Sequence, residues 1–236
     1  MRPNRARRAF QLVLVAVLLA PVTAQAHLFH FAGLQMQETQ MARDFRVVKE
    51  LIEWRDKYFD VATEVYRGEV RRRVPNPTEP GFLLKARYQR TFPTPPLKNL
   101  AQQLDDRYGT AIDPWIEARL VARDEEGVKA GLRVLFYFHI REVLDALVSH
   151  EERPPVVRQL FGVLTDYLFT AFEIHLALTN RPTYLQVKDT LEHLREAAGL
   201  TDPPTPRPDE VRRLRTRLLS LLARTLDRRI APVVPS

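Results

Sequence analysis

From Leu34 to Tyr66 apolar side chains recur at three- and four-residue steps: Met41, Phe45, Val48, Ile52, Phe59, Ala62 and Tyr66. That spacing follows the turn of an α-helix and gathers these residues into one stripe. Val47, Leu51, Trp54, Tyr58, Val61 and Val65 widen the stripe, and Arg46, Lys49, Glu50, Glu53, Asp56, Lys57 and Asp60 fill the opposite face. The pattern predicts one long amphipathic helix over 34–66. From 67 to 98 the period changes. Pro75, Pro77, Pro80, Pro93, Pro95 and Pro96 forbid a long helix. Phe82, Leu84, Ala86, Tyr88 and Phe92 alternate with polar residues, a period of two that fits a small hairpin or an extended arm on the bundle.

The helical period then returns. Leu97 to Tyr108 is a short helix stopped by Gly109. Asp113-Pro114 predicts a helix start, with Asp as N-cap and Pro in the first helical position. The pattern runs on to about His150, with a break expected near Gly127 and Gly131. Arg153-Pro154-Pro155 is a tight connection, and Val156 to Thr179 is the most apolar helix after the first 26 residues. Pro182 opens a further helix that Gly199 closes. Thr201 to Pro208 is a proline-rich linker. Val211 to Ile230 predicts a last amphipathic helix, with Asp209 and Glu210 suited to its N-terminus. Short connections between helices favour antiparallel neighbours. The expected fold is therefore all-α: an antiparallel helical bundle of about five to six helices, with a Pro-rich extended or small hairpin insertion. It divides into a bundle domain at 27–200 holding the basic excursion at 67–98, a linker at 201–208, and a basic amphipathic helix and tail at 209–236.

Residues 1–26 follow a different logic. Arg2, Arg5, Arg7 and Arg8 precede an apolar run from Ala9 to Ala20 broken only by Gln11, and Ala24-Gln25-Ala26 is a small-x-small cleavage pattern. This is the layout of a signal peptide, and it predicts a periplasmic or secreted protein with no integral membrane span once the leader is cut. The run is shorter than the roughly 20 residues of a spanning helix, though it could also stay as an anchor. Arg7-Arg8-Ala9-Phe10 also resembles a twin-arginine signal.

The chain has 236 residues and a formal charge of +7. The four leader arginines account for four of those charges. Residues 67–98 and 211–230 are each strongly basic, so the remainder of the chain is acidic. Arg71, Arg72, Arg73, Arg212, Arg213, Arg215 and Arg217 are the candidate contacts for an anionic membrane surface or an acidic envelope partner. The alternative for the last helix is docking on its own core, with the arginines snorkelling at the rim. Nucleic acid is not an expected partner of an exported protein.

Cleavage after Ala26 would leave His27 as the first residue, with His30 close by. A free α-amine and an imidazole on one residue favour copper or zinc. The arrangement resembles the copper-binding histidine brace of lytic polysaccharide monooxygenases and some copper carriers. Those oxygenases are β-sandwiches, so the resemblance implies at most copper binding and not their activity.

Inside the bundle, the helices at 128–149 and 156–179 should form an antiparallel hairpin in which paired residue numbers sum to about 305. His139 then lies level with Asp166, a candidate buried polar pair. Arg133, Tyr137 and Arg141 on one helix face Asp166, Thr170 and Glu173 on the other, which reads as an ion-pair ladder fixing register. His175 falls level with Ala130, about 13 Å along the axis from His139, too far for a shared metal. Both histidines then read as core residues with satisfied nitrogens.

Catalytic signatures are missing. No cysteine is present, and only Ser149, Ser220 and Ser236 could serve as serine nucleophiles. No Gly-x-Ser-x-Gly elbow, phosphate loop, dinucleotide-binding glycine pattern, His-Glu-x-x-His or paired Glu-x-x-His occurs. The expected role is a non-catalytic binding, scaffolding or accessory protein of the cell envelope.

Overall fold

A computed structural model describes residues 39–55, 57–69 and 95–230. Eight helices run through them: α1 Gln40–Glu53, α2 Phe59–Arg67, α3 Leu97–Tyr108, α4 Ile112–Val121, α5 Glu125–Ser149, α6 Pro154–Thr179, α7 Arg181–Ala197 and α8 Pro208–Ala223. No strand occurs among the described residues. The fold is an all-α bundle, and the basic excursion with its expected hairpin lies outside the described residues.

α5 is the axis of the bundle. Val128, Leu132, Val134, Leu135, Phe136, Phe138, Ile140, Leu144 and Leu147 are buried around its whole circumference. A helix apolar on all sides must be enclosed by others, and α1, α3, α4, α6 and α8 all pack on it. Phe136 illustrates the enclosure: its ring meets Phe45 of α1 at 4.7 Å and Tyr167 of α6 at 5.2 Å. α5 and α6 form the expected antiparallel hairpin. His139 meets Tyr167 with ring centroids 6.5 Å apart, one residue from the expected level.

The single helix expected over 34–66 is two helices meeting at a corner. Lys57 takes φ 49°, and the Tyr58 N–H donates to the Leu51 carbonyl at 3.0 Å. Glu53, Arg55, Asp56 and Lys57 interrupt the stripe with four charges in five positions. A straight helix would carry that charged turn past the core. Turning there lets both stripes pack, with Val48, Ile52, Phe59 and Tyr66 all at 0–1% exposure. A left-handed non-glycine residue costs about 1–2 kcal/mol, less than burying one large apolar side chain returns.

Two helix starts also differ from expectation. Asp113 does not cap α4. The Asp105 carboxylate, reaching from α3, accepts from the N–H of Ile112 at 2.7 Å and of Asp113 at 2.9 Å. The break between α4 and α5 falls at Ala122–Asp124, where Arg123 takes φ 54° and Asp124 caps α5 by accepting from the Gly127 N–H at 3.0 Å. Gly127 and Gly131 are therefore helical. They let α4 cross closely: a Cβ on Gly131 would stand 2.5 Å from Ile116 Cγ1.

Several starts and stops are where the sequence puts them. Gly109 and Gly199 end α3 and α7 in the left-handed conformation, at φ 64° and 69°. Pro154 and Pro155 begin α6, and Asp209 and Glu210 lie in the first turn of α8. α8 is shorter than expected, giving way after Ala223 to turns that run to Ile230.

α6 is long and apolar enough to cross a membrane by length and composition, and half of its most apolar window is buried inside the bundle. From Phe169 to Glu173 it widens into a π-turn. The extra residue shifts the buried face by one position. Leu164, Leu168 and Phe172 are followed in the core by Leu176 rather than His175.

Candidate functional site

The π-turn turns His175 out of the core and toward a cleft of about 400 Å³. The cleft lies where the α4–α5 crossing, the last turns of α6 and the turns after α8 come together. Trp115 forms one wall and is held by its indole N–H, which donates to the Gly127 carbonyl at 2.9 Å. The Arg119 guanidinium lies 4.3 Å from the Trp115 ring centroid, and that of Arg229 lies 5.3 Å from it. The glycine at 127 is what lets α5 come this close. A Cβ there would meet Asp124 Oδ2 at 2.4 Å and Arg119 Cδ at 2.7 Å.

Most charges around the cleft are paired locally. Arg119 donates to Asp124 at 3.3 Å, Arg229 to Asp227 at 2.9 Å, and Lys129 holds Glu126 at 2.6 Å. Arg133 is the exception. Its side chain is half-buried and lines the cleft, but it makes no hydrogen bond or ion pair among the described residues. Burial pushes its pKa down, and Glu126 and Asp227 oppose that only at longer range. Arg119 adds a second unused donor, since its Nε is buried without a hydrogen-bond partner. His175 is held below its usual pKa, first by burial and then by the Arg133 charge, so its imidazole is neutral at neutral pH.

The ladder expected between α5 and α6 is not built this way. Arg133 faces the cleft. Arg141 turns toward α3, with its guanidinium 5.0 Å from the Tyr108 ring centroid. Glu173 is buried in the π-turn, where its charge adds to burial in raising the Tyr184 pKa. His139 and Asp166 are also separately engaged. His139 Nδ1 lies 3.3 Å from Glu142 Oε2 on its own helix. Asp166 Oδ2 accepts both the backbone N–H and the hydroxyl of Thr39, each at 2.9 Å. That tie fixes the start of α1 to the middle of α6. The axial level was correct, but the side chains at that level point to different neighbours.

The arginines of α8 are paired. Arg212 meets Asp209 at 2.7 Å and Glu151 at 3.2 Å, and Arg213 meets Glu210 at 3.1 Å. Arg215 donates through Nε to Asp145 at 2.6 Å, and Arg217 approaches Asp189 at 3.5 Å. Val211, Leu214, Leu218, Leu221 and Leu222 are buried against α7 and α5. Arg71, Arg72, Arg73, His27 and His30 lie outside the described residues. Among the described residues, no group of three or more His, Asp or Glu side chains could hold a metal ion.

A second polar cluster was also missed in the sequence. Asp113 accepts from the Tyr66 hydroxyl at 2.8 Å and from Gln102 Nε2 at 2.9 Å. Glu117 accepts from Arg67 Nε at 2.8 Å and from Lys98 Nζ at 2.7 Å. The Arg67 hydrogen bond leads in pulling the Glu117 pKa down to about 2. Burial, followed by the Asp113 charge, pushes the Tyr66 phenol far above its ordinary value. These groups use one another's donors and acceptors and join α2, α3 and α4, which makes the cluster a structural lock.

No family model matches this chain, and no curated protein or solved structure is detectably similar to it.

Proposed function

We propose that this chain is an exported, non-catalytic binding protein of the cell envelope, with the Arg133 cleft as its ligand seat. The observation that carries this is the state of Arg133: a half-buried guanidinium with open donors, beside Arg119, Lys129 and Arg229, which are each paired. Leaving a buried charge uncompensated is costly. A bound anion would remove the cost and gain charge-assisted hydrogen bonds. The leader-like pattern of residues 1–26 supports export. The absence of a catalytic motif in the sequence favours binding over turnover.

Thermal melting tests the reading. The full chain is heated with two pools, one of small organic acids and one of inorganic anions. A ligand at about a hundred times its Kd stabilises by roughly 2.7 kcal/mol, which raises Tm by about 5–10 °C for a chain of this size. The rise should appear with wild type and vanish in Arg133→Gln. If neither pool moves Tm, the cleft is not a ligand seat. Separately, N-terminal sequencing of the exported product should show a start after residue 24 or 26; product kept inside the cell with its leader attached would remove the export half of the proposal.

A further inference from the structure

We propose that the outer side of the α6–α7 corner is a docking face for an anionic lipid surface, with Ile174, Leu178 and Leu185 as its apolar contacts and Arg181 and Lys188 as the cations that meet the headgroups. The cleft plays no part in this, so the two proposals can fail separately.

The π-turn creates the face. It brings Leu176 into the core, and Ile174 and Leu178, each two residues away and so about 200° around the helix, are turned outward. Ile174 is 52% exposed and Leu178 81%. Asn180 alone separates α6 from α7, which packs on this end of α6, and Leu185 in the second turn of α7 is 51% exposed. These are three of the five large apolar side chains most open to solvent among the described residues. A single exposed leucine needs no explanation, but a group of them at one corner marks a surface that meets something apolar. Between Arg158 and Arg181 the only carboxylates are Asp166 and Glu173, both buried, and the one histidine, His175, faces the cleft. The outward side of α6 is therefore uncharged from Gln159 to its end.

Charge decides the occupant. Arg181 and Lys188 lie four and three residues from Leu185, on the same side of α7. Their side chains make no hydrogen bond or ion pair among the described residues, whereas Arg212, Arg213, Arg215 and Arg217 of α8 are paired. Asp189 is drawn toward α8 by Arg217 at 3.5 Å, and Glu192 lies a further turn along α7. Apolar side chains beside unpaired cations are the arrangement that attaches a helix to anionic lipid. A second copy docked through the same face about a two-fold axis would bring like charges into one interface. A protein partner would have to supply a pocket for Leu178, which stands out from the helix end; a fluid lipid surface closes round it.

The chain has no cysteine, so Leu178→Cys takes a single environment-sensitive nitrobenzoxadiazole label, and Arg213→Cys on the open face of α8 takes the control label. The full chain is mixed with vesicles of phosphatidylcholine alone, or of equal parts phosphatidylcholine and phosphatidylglycerol. On the mixed vesicles the label at position 178 should brighten by about twofold or more and shift to the blue, and the label at position 213 should not. Phosphatidylcholine alone should need at least about tenfold more lipid for the same response. Arg181→Gln together with Lys188→Gln should raise the mixed lipid needed by at least about fivefold, and neither position is in the core. No change at position 178, or a change at position 213 instead, would overturn the proposal whatever else holds the chain on the vesicle. An equal response to both vesicles that the double substitution leaves unmoved would also overturn it, because the cations would then have no role. Brightening at position 178 that rises with protein concentration in the absence of lipid would give the face to a second copy and overturn it too.

Discussion

Arg215 on α8 and Arg133 on α5 belong to helices that touch, yet their guanidiniums are treated in opposite ways. Arg215 is at the rim and donates to Asp145 at 2.6 Å. Its neighbours Arg212, Arg213 and Arg217 each reach an acid as well. Arg133 is drawn into the bundle and meets no partner among the described residues. Composition weighted these regions the other way, because it counts arginines and α8 has more of them. A paired cation at a rim is explained by its partner. An unpaired one under partial burial still requires an explanation, and that is why the cleft rather than α8 holds the candidate site.

The comparison can be broken at several points. The largest effect should come from the close crossing that forms the cleft. Gly131→Leu drives a side chain into Ile116 and Trp115. It should cost about 3 kcal/mol by chemical denaturation and abolish any anion-induced rise in Tm. A stability loss under 1 kcal/mol would mean that α4 and α5 are not so closely packed.

Acid should separate paired charges from unpaired ones. Glu117 has its pKa lowered from 4.5 to about 2, chiefly by Arg67. A carboxylate with a depressed folded pKa stabilises the fold above its unfolded pKa and loses that stabilisation as pH falls through the folded value. The chain should therefore weaken between about pH 4.5 and pH 2. After discounting for part exposure, Glu117 should contribute on the order of 2 kcal/mol to this loss. In Glu117→Gln the slope of stability against pH across that window should flatten; an unchanged slope would assign the loss to other acids.

The sharpest contrast lies in the sign of two arginine substitutions. In the absence of ligand, Arg133→Met removes an uncompensated charge and should stabilise by about 1 kcal/mol. Arg215→Ala removes a paired one and should destabilise by about 0.5–1 kcal/mol. Arg213→Ala, on the open face of α8, should stay within about 0.5 kcal/mol of wild type. A destabilised Arg133→Met would show that this guanidinium has a structural role, and the contrast would collapse.

The sequence shows local chemistry well. Gly109 and Gly199 mark helix ends because only a residue without Cβ takes the left-handed turn cheaply. The double proline at 154–155 fixes one boundary and the hairpin register of α5 and α6 follows from it. The corner at Lys57 was harder to read because it uses neither glycine nor proline; its trace is the charged run from Glu53 to Lys57. Asp113 looked like a cap because it precedes a proline, but Asp105 reaches across from the previous helix and takes that role. The cleft was least visible. It joins residues 115–133 with His175 and with residues 225–229, and the periodic pattern carries no sign of the π-turn that delivers His175. Trp115, Arg119, Asp227 and Arg229 gave no motif because each is meaningful only beside the others.

The chain has two tryptophans, and they sit in unlike surroundings. Trp54 is open to solvent at the α1–α2 corner, 46% exposed. Trp115 lies under two guanidinium groups at the mouth of the cleft. Replacing the first with phenylalanine would leave a single indole whose emission reports on whatever enters beside it, so occupancy can be followed by fluorescence without attaching a dye.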